Sequence, residues 1–356
     1  MFVTEGIPST QSVVHRVAYT KESLAKRGDQ VSVLYGKETT VLGHRFQRAS
    51  FLSTIRSLLA FGDLDALVVH RAADPFTAMI ASIGRRHGIP VVFDLDDAIY
   101  LRWNILSAWA RNLIRTSDAV TAGSHALVQY ATRLNSNVHL VPSPVDTETF
   151  RPSILRQHNA VPTVGWMGDG RVHESNLKVI VEPLLQLALR VQFKLKLVSA
   201  LGNPRILKAF QPLEKYIDVD YGPSEWMAIN EIPNLMAEFD ISLMPLLDTD
   251  FNRGKAGQKL LESMAMEIPV MASPVGENNY IVSHGDNGFL ASNRDEWGRY
   301  LEILLASPEL RSQMGKRGRR KVVDGYSRDV CFHLFTEALG TALHGVRKRG
   351  ARARTA

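Results

Sequence analysis

The chain has 356 residues, of which 45% are hydrophobic and 22% charged, and its formal net charge is +6 at pH 7. This length and balance fit two globular domains and exclude a chain that is disordered throughout. Cys331 is the single cysteine, which excludes an internal disulfide and is typical of a reducing compartment. Since no apolar run of about 18 residues and no signal peptide is evident, the sequence predicts a cytoplasmic protein.

Short β-forming runs alternate with helical stretches through the first part of the chain. The first strand is only about Phe-Val-Thr, which leaves open whether the N-terminus is complete. The β-runs after it are residues 30–36, 66–70, 89–95, 118–124 and 137–146. Strands separated by helices indicate parallel βαβ units. We therefore expect an N-terminal Rossmann-like domain at residues 1–150.

Polar residues and a glycine follow strands of this first domain. Gly6 follows the first strand, where the missing side chain permits close approach to the backbone. His70 ends one strand, and Asp96 and Asp97 follow another. Because doubly wound domains bind ligands at the carboxyl ends of their strands, these positions predict a ligand site. Ordinary capping or hydrogen-bonding roles remain the alternative.

The pattern restarts after a proline-rich join. The second set of β-runs comprises residues 163–170, 194–200, 217–222, 240–246 and 269–274. A second Rossmann-like domain is therefore expected at residues 158–327. A final helical pattern covers residues 328–346, and a basic tail at 347–356 is expected to be a solvated, disordered end.

A charged helix is predicted late in this second domain. Lys255 and Lys259 are one turn apart and Glu262 follows three residues later, so the spacing predicts that all three share one helix face. Two cations at a helix start oppose the helix dipole unless an anion lies among them. This favours a nucleoside-diphosphate site, with Glu262 accepting hydrogen bonds from sugar or ribose hydroxyls. The alternative is an exposed helix start with a Lys259–Glu262 surface pair.

A glycine-bearing loop follows the first strand of the second domain. Gly168 lies in this loop and Arg171 comes just before the next helix. Loops of this kind can bring backbone N–H groups and a cation to a phosphate, although a glycine pattern alone is weak evidence.

Two long segments resemble one known family. The run LLESMAMEIPVMASPVGENNYIVSHGDNGFLA, residues 260–291, resembles the signature of the retaining family-four glycosyltransferases of the GT-B fold. The run SDAVTAGSHALVQYATRLNSNVHLVPSPVDTETFRP, residues 117–152, resembles the segment that closes the N-terminal domain of the same enzymes. The two segments lie in different halves of the chain.

The resemblance implies a fold and a reaction. The fold would be α/β of the GT-B type, with two facing doubly wound Rossmann-like domains, a cleft between them, and the helix at 328–346 packed back on the N-terminal domain. The reaction would move a sugar from a nucleotide diphosphate sugar, UDP- or GDP-linked, to an acceptor hydroxyl. It would retain the anomeric configuration and need neither a metal ion nor another cofactor.

Roles for the candidate residues follow from combining this resemblance with the residue patterns. The expected catalytic residues are Lys255, Lys259 and Asp97. The expected donor-binding residues are Glu262, Gly168, Arg171 and Gly6. The expected acceptor-binding residues are His70 and Asp96.

The chain departs from the family pattern at two positions. Trp166 stands where many relatives have an arginine, and a buried packing role is predicted for it. Gly254 stands where the family commonly has a first glutamate, so Lys255 and Lys259 are expected to take over anion binding, with Arg171 as a further cation.

Three other interpretations stay open. One is an isomerase similar to nucleotide-sugar 2-epimerases, and another is a nucleotide-sugar-binding subunit without turnover. The third follows from Asp94-Leu95-Asp96, which fits the D-x-D of metal-dependent GT-A glycosyltransferases, because two carboxylates can hold a divalent cation on a diphosphate.

The expected partners are the nucleotide-sugar donor and a glycan, lipid-linked or small-molecule acceptor. Residues 101–118 interleave apolar and arginine residues and would either lie on the inner face of the membrane or pack on their own domain as an amphipathic helix. Nucleic acid is not expected, since only the basic charge would favour it.

Overall fold

The computed structural model divides into two compact units. It describes residues 1–41, 44–48, 64–101, 105–152, 160–200, 202–223, 229 and 231–355. Unit 1 comprises Met1–Pro144, Gly254–Ala256 and Arg328–Ala356. Unit 2 comprises Val145–Arg253 and Gly257–Ser327.

Unit 1 is built on a parallel sheet of six strands. Along the chain its strands and a separate hairpin are β1 Phe2–Thr4, β2 Val33–Leu34, the hairpin β3 Lys37–Val41 and β4 His44–Arg48, β5 Leu67–His70, β6 Val91–Leu95, β7 Ala119–Ala122 and β8 Val138–Leu140. The order in the sheet is β2-β1-β5-β6-β7-β8. Since the order reverses direction at β1, the crevice between β1 and β5 is the topological switch point.

The helices of the first part of unit 1 connect these strands. They are α1 Gln11–Val13, a π-helical turn Val14–Ala18, α2 Tyr19–Lys26, α3 Pro75–Arg86, a 3₁₀ turn Ile99–Leu101, α4 Ile105–Thr116 and α5 His125–Ala131. Asp74 caps α3 by accepting from the N–H groups of Phe76 and Thr77, with Pro75 at the first helical position. Ser124 caps α5 in the same way through the N–H of Leu127.

Unit 2 contains a second parallel six-stranded sheet. Its strands are β9 Thr163–Met167, β10 Lys194–Val198, β11 Asp218–Asp220, β12 Ile241–Met244, β13 Val270–Ala272 and β14 Gly288–Leu290. The order is β11-β10-β9-β12-β13-β14, which is the doubly wound Rossmann order with its switch point between β9 and β12. Gly165 in β9 allows the Phe239 ring to lie against the strand, since a Cβ there would come within 2.2 Å of the ring.

The helices of unit 2 cover both faces of its sheet. They are α6 Gly170–Ala188, α7 Pro204–Phe210, a 3₁₀ turn Gln211–Lys215, α8 Ile232–Met236, α9 Asp250–Arg253, α10 Gln258–Ala265, α11 Asn278–Ile281, α12 Arg294–Ala306 and α13 Pro308–Tyr326. Asp169 caps α6 and Asn293 caps α12. The first helical position of α13 is Pro308, preceded by the capping Ser307.

A last helix, α14 Arg328–Thr355, closes one face of the unit 1 sheet. One apolar cluster of unit 1 includes the strand residues Val3, Leu67, Val69 and Phe93. The other includes Phe2, Val68 and Val92 together with Phe335 and Ala342 of α14. The alternation along each strand therefore places apolar side chains on both faces, as a fully covered parallel sheet requires.

The predicted α/β class of doubly wound parallel sheets is confirmed, and each β-run predicted from the sequence contains a strand. Two expectations about helices are wrong. Lys255 is not helical, because α10 begins only at Gln258, after Gly257 with φ 69°. The basic tail is not irregular, because α14 continues to Thr355.

The segment proposed to lie on a membrane is in part a core helix. In α4, Leu113 and Ile114 are buried in unit 1 and Trp109 packs against the same cluster, while Arg111 and Arg115 are exposed. This supports the amphipathic packing alternative for that part. Its apolar residues Trp103, Ile105 and Leu106 lie outside the side chains that the structure describes.

In the described part of the chain, none of the helices combines the length and apolar character needed to cross a membrane.

Candidate functional site

A lysine and a histidine meet at the carboxyl end of β9 in unit 2. Lys259, in the first turn of α10, places its Nζ 3.1 Å from His173 Nε2 of α6. The same Nζ lies 5.2 Å from the centre of the Trp166 ring, and the His173 ring meets Trp166 edge-on. Trp166 is 1% exposed, which confirms its predicted packing role. Packing with an aromatic ring thus holds the ammonium group at the end of the strand.

Gly168 makes room for this lysine. A Cβ at residue 168 would lie 2.2 Å from Lys259 Nζ and 2.8 Å from Trp166 Cζ2. Because an ammonium group at the end of a flexible side chain moves easily, a side chain at this position would displace Lys259 first. The predicted glycine therefore sets the position of the cation.

Amide groups fix the orientation of His173 from behind. Asn176, one turn later in α6, places Nδ2 3.2 Å from His173 Nδ1. Its Oδ1 accepts from the N–H of Leu247 and from Asn252 Nδ2, each at 2.9 Å. Asn252 Nδ2 also donates to the carbonyl of Leu247 at 2.9 Å. These bonds join the loop after β12 to α6 at the switch point of the sheet.

The other unit 2 candidates differ in exposure. Glu262 is 1% exposed and its Oε1 accepts from Gln258 Nε2 at 3.4 Å, so the alternative of a surface pair with Lys259 is wrong. Arg171 has a side chain that is 70% exposed and pairs with Asp169 at 2.7 Å. Burial alone would raise the pKa of Asp169, but the hydrogen bonds and charge of Arg171 lower it.

Unit 1 has a network of opposite charges at the carboxyl ends of β5 and β6. Arg16, in the π-helical turn, donates through Nε to Asp94 Oδ2 at 2.9 Å and through NH2 to Asp94 Oδ1. His70 Nδ1 donates to Asp94 Oδ2 at 2.8 Å, and Thr121 donates to Oδ1. Burial would raise the pKa of Asp94, but the charge and hydrogen bonds of Arg16 and the hydrogen bond from His70 lower it far below its usual range.

The network continues to Asp96. Ser12 Oγ donates to Asp96 Oδ2 and lies 2.9 Å from His70 Nε2. The guanidinium of Arg71 lies 3.2 Å from Asp96 Oδ1 and 3.1 Å from Asp97 Oδ2. Arg71 has φ 56°, an uncommon conformation for a residue with a side chain, which such charge pairs can hold in place.

One carboxylate oxygen of this network is incompletely satisfied. Asp96 Oδ1 is buried and, within the described residues, accepts no hydrogen bond of good geometry although it faces Arg71. Asp97 is more accessible, with 27% of its side chain exposed. A hydroxyl group could donate to either carboxylate.

The structure thus brings together some of the predicted residues and separates others. His70, Asp96 and Asp97 belong to one network in unit 1, whereas Lys259, Gly168 and Glu262 lie near the start of α10 in unit 2. Lys255 precedes that helix and groups with unit 1, so the predicted face shared by the two lysines does not exist. Gly6 packs against α1, since a Cβ there would lie 2.5 Å from Val13 Cγ2.

The aspartates proposed as a metal-binding pair have other partners. Asp94 is engaged by Arg16, His70 and Thr121, and Asp96 by Ser12 and Arg71. Among the described residues, no three or more His, Cys, Asp or Glu side chains group in a way that could hold a metal ion.

Arg16, His173 and Asn176 are part of these sites but were not predicted. The pairing of Arg16 with Asp94 spans 78 residues, so no local spacing indicates it. His173 and Asn176 are three residues apart at the start of a helix, which is a visible pattern for side chains that touch.

Comparisons with known proteins cover most of the chain. Residues 13–149 match the model of Glycosyltransferase Family 4, and residues 161–307 match that of Glycosyl transferases group 1. The chain is 26% identical over 230 residues to N-acetyl-alpha-D-glucosaminyl L-malate synthase of Bacillus anthracis, covering 60% of this chain and 58% of that protein. It spans about half the length of the curated relatives that it matches.

Solved structures share the fold. Sucrose-phosphate synthase of Thermosynechococcus elongatus superposes with a TM-score of 0.71 at 15% identity, covering 94% of this chain and 97% of that one. Anabaena Alr3699/HepE in complex with UDP and glucose superposes with a TM-score of 0.69 at 15% identity, covering 95% and 99%. Together with the two family models, this shows that the chain belongs to the group 1, or family-four, glycosyltransferases, which have the GT-B fold.

Proposed function

We propose that this chain transfers a sugar from a nucleoside diphosphate sugar to an acceptor hydroxyl, with retention at the anomeric carbon and without a metal ion. The observation that carries the proposal is the position of Lys259 at the carboxyl end of β9, beside the switch point of unit 2. Crevices at such points are where doubly wound sheets bind their ligands. The relative Anabaena Alr3699/HepE has been solved with UDP and glucose, which supports a nucleoside diphosphate as the ligand.

Unit 2 would hold the diphosphate of the donor. The ammonium group of Lys259 lies near the N-terminus of the long helix α6, whose N–H groups carry partial positive charge. As the nucleoside diphosphate departs, negative charge grows on its oxygens, and a fixed cation and helix terminus stabilise that charge. Arg171, Gly168 and Glu262 remain proposed donor contacts, with Glu262 accepting from a sugar or ribose hydroxyl.

Unit 1 would hold the acceptor. Asp96 Oδ1 is a buried carboxylate oxygen without a good hydrogen bond in the described structure, and the exposed part of Asp97 lies beside it on Arg71. Carboxylate oxygens accept hydrogen bonds from hydroxyl groups, so this pair fits an acceptor rich in hydroxyls. His70 then acts through Ser12 rather than by direct contact, because its two ring nitrogens face Asp94 and Ser12.

The proposed reaction balances without a protein nucleophile. The bond from the anomeric carbon to the phosphate oxygen breaks, the bond to the acceptor oxygen forms on the same face, and the acceptor proton passes to the departing phosphate. The protein contributes positioning and charge stabilisation. Lys255 and Asp97 remain proposed contributors to this step.

A panel of nucleoside diphosphates tests the donor site. The melting temperature of the full chain is measured with UDP, GDP, ADP and dTDP, each with magnesium and with a chelator. We expect one nucleotide to raise the melting temperature, to a similar extent in both conditions. The absence of any shift would argue against the donor site, and a shift that needs magnesium would argue against metal independence.

Product analysis tests the reaction itself. The chain is incubated with the matching nucleotide sugar and a panel of hydroxyl acceptors, and the products are identified by mass spectrometry and proton NMR. A glycoside with retained configuration is the expected product. An epimerised nucleotide sugar would indicate an isomerase, and binding without conversion would indicate a subunit that has lost turnover.

A further inference from the structure

The hydrogen bonds around His173 determine which of its ring nitrogens carries a proton. Asn176 Oδ1 accepts from a backbone N–H, that of Leu247, and from Asn252 Nδ2. A backbone N–H can only donate, so the orientation of the Asn176 amide is fixed and its NH₂ group points at His173 Nδ1 at 3.2 Å. Nδ1 must therefore accept, which assigns the proton of the neutral ring to Nε2.

This tautomer turns a second donor toward Lys259. His173 Nε2–H faces Lys259 Nζ at 3.1 Å, and an ammonium group has donors but no acceptor. Two donors directed at each other gain nothing from their contact, whereas both can donate to one oxygen placed beside them. His173 is only 6% exposed and rests edge-on against Trp166, so its ring cannot easily turn away.

The surroundings favour an anion at this position. The pair lies beside the N-terminal end of α6, and Gly168 leaves no side chain between them and the end of β9. Asp169 is close enough for the charge of Lys259 to help lower its pKa, and it already accepts from the capping N–H and the guanidinium of Arg171. A phosphate oxygen can accept from an imidazole N–H and an ammonium group at the same time.

We propose that His173 is a direct phosphate ligand, held by Asn176 as a neutral Nε2–H donor that converges with Lys259 on one oxygen of the nucleoside diphosphate. This deepens the proposed function and rests on it. Asn176 and Asn252 are then positioning residues, since they act through the ring of His173. Many relatives have an arginine at the position of Trp166. In this chain the neutral His173 and Lys259 would together take the place of that arginine.

The first test is the protonation of His173 in the full chain. Long-range ¹H–¹⁵N correlation spectra, assigned with the H173F variant, distinguish the two neutral tautomers. We expect the Nε2–H form in the unliganded protein above pH 8, where an ordinary histidine is neutral. Observation of the Nδ1–H form would overturn the proposal.

The second test compares nucleotide affinity among four variants and the wild type. The probe is whichever of UDP, GDP, ADP and dTDP raises the melting temperature most, titrated by calorimetry at pH 8.5. H173F keeps an aromatic ring on Trp166 but has no donor, and we expect it to weaken binding about tenfold, the effect of one hydrogen bond to a charged group. H173Q, which retains an N–H donor near the same place, should recover part of that loss.

N176D is the sharper variant because it preserves the scaffold. A carboxylate at residue 176 can still accept from Leu247 and Asn252, but it also accepts from His173 Nδ1–H and so reverses the tautomer. Nε2 then accepts from Lys259 instead of donating to phosphate. We expect a loss of affinity of about tenfold with the Nδ1–H form in the spectrum.

K259M separates this inference from the donor site itself. If K259M weakens binding strongly while H173F and N176D bind within about twofold of the wild type, His173 is only a packing residue and the inference fails alone. If no nucleotide binds, or if K259M binds as the wild type does, the donor site fails and the inference with it. Loss of affinity in K259M, H173F and N176D alike supports both the donor site and the role of His173.

Discussion

The two units place different charged groups at the carboxyl-end edge of similar parallel sheets. In unit 1, three carboxylates and two guanidinium groups surround the carboxyl ends of β5 and β6, and most of them are buried in pairs. In unit 2, one ammonium group and a histidine stand at the end of β9, supported by uncharged amides. The fold provides the edge, and the residues placed there decide which ligand each unit suits.

The clusters of the two units are also expected to contribute differently to folding stability and to ligand binding. Buried charges that are paired are costly to leave without a partner, so the unit 1 network should matter first for folding. The unit 2 cluster has few buried charges and should matter first for ligand affinity. Each variant below tests whether the two units differ in this way.

The largest effect is expected from D94N. An amide of the same shape leaves the buried guanidinium of Arg16 without its counter-charge, which we expect to cost about 3–5 kcal/mol of folding stability. Urea unfolding followed in unit 1 measures the change. D218N is the control, since Asp218 has a side chain that is 69% exposed. A D94N protein as stable as D218N would show that the network is not structural.

The pH dependence of folding stability provides a second test of the pair between Arg16 and Asp94. The pKa of Asp94 is lower in the folded protein than in the unfolded chain. Its contribution to folding stability is therefore fully present above the pKa of the unfolded chain and is lost as the pH falls toward the pKa of the folded protein. The stability difference between wild type and D94N should therefore be constant near neutrality and shrink below about pH 4. A stability difference that instead shrinks between pH 7 and pH 9 would contradict a lowered pKa of Asp94.

K259M should have the next largest effect, on binding rather than folding. Loss of a hydrogen bond between charged groups is worth about 1.5–3 kcal/mol, or roughly 10- to 150-fold in affinity for the nucleoside diphosphate. Calorimetric titration measures it. K178M is a matched control in the same unit, because Lys178 is 57% exposed and pairs with Glu174. Equal affinities of K259M and K178M would contradict the donor site.

D96N tests the acceptor side. Asp96 is expected to contact an acceptor hydroxyl, so its amide should lower transfer by about tenfold while nucleotide affinity stays unchanged. Initial rates at varied acceptor concentration, with the acceptor identified by product analysis, measure the effect. D97N should follow in the same direction with a smaller loss, since Asp97 is more exposed. If D96N weakened nucleotide binding instead, the assignment of roles to the two units would be reversed.

The smallest effect is expected from R171M. The Arg171 side chain is 70% exposed and its ion pair with Asp169 is at the surface, where such pairs contribute at most about 1 kcal/mol. A proposed donor contact that is exposed to solvent in this way should contribute less than about fivefold to nucleotide affinity. A larger loss in calorimetric titration would show that Arg171 is a main contact of the phosphate, in place of the arginine that many relatives have at the position of Trp166.

The sequence predicted the sheets well because buried parallel strands are nearly continuous apolar runs. The strand Val91–Leu95, for example, is buried at every position. It also indicated that His70 and Asp96 lie near strand ends and that Lys259 lies at the start of a helix. The prediction for Lys255 was wrong because it extended one helix back through Gly257. Gly257 has a positive φ, which a right-handed helix cannot contain.

The side-chain networks were beyond a reading of the sequence. Arg16 meets Asp94 only after the chain has folded β1 and β6 into one sheet, and the residues between them carry no pattern that links them. His173 and Asn176 share a helix face, but the meaning of that pair depends on Leu247 and Asn252, which come from the loop after β12 and from α9. The ion pair of Arg16 with Asp94 and the hydrogen bonds of Asn176 therefore depend on contacts between segments that are distant in sequence.

Hydrogen–deuterium exchange with the stabilising nucleoside diphosphate is the most direct test that unit 2 holds the donor. We expect protection of backbone amides at residues 168–176 and 257–262, which surround Lys259 and His173, and loss of that protection in K259M. Saturating nucleotide that leaves both segments unprotected, or protects them equally in K259M, would contradict the account.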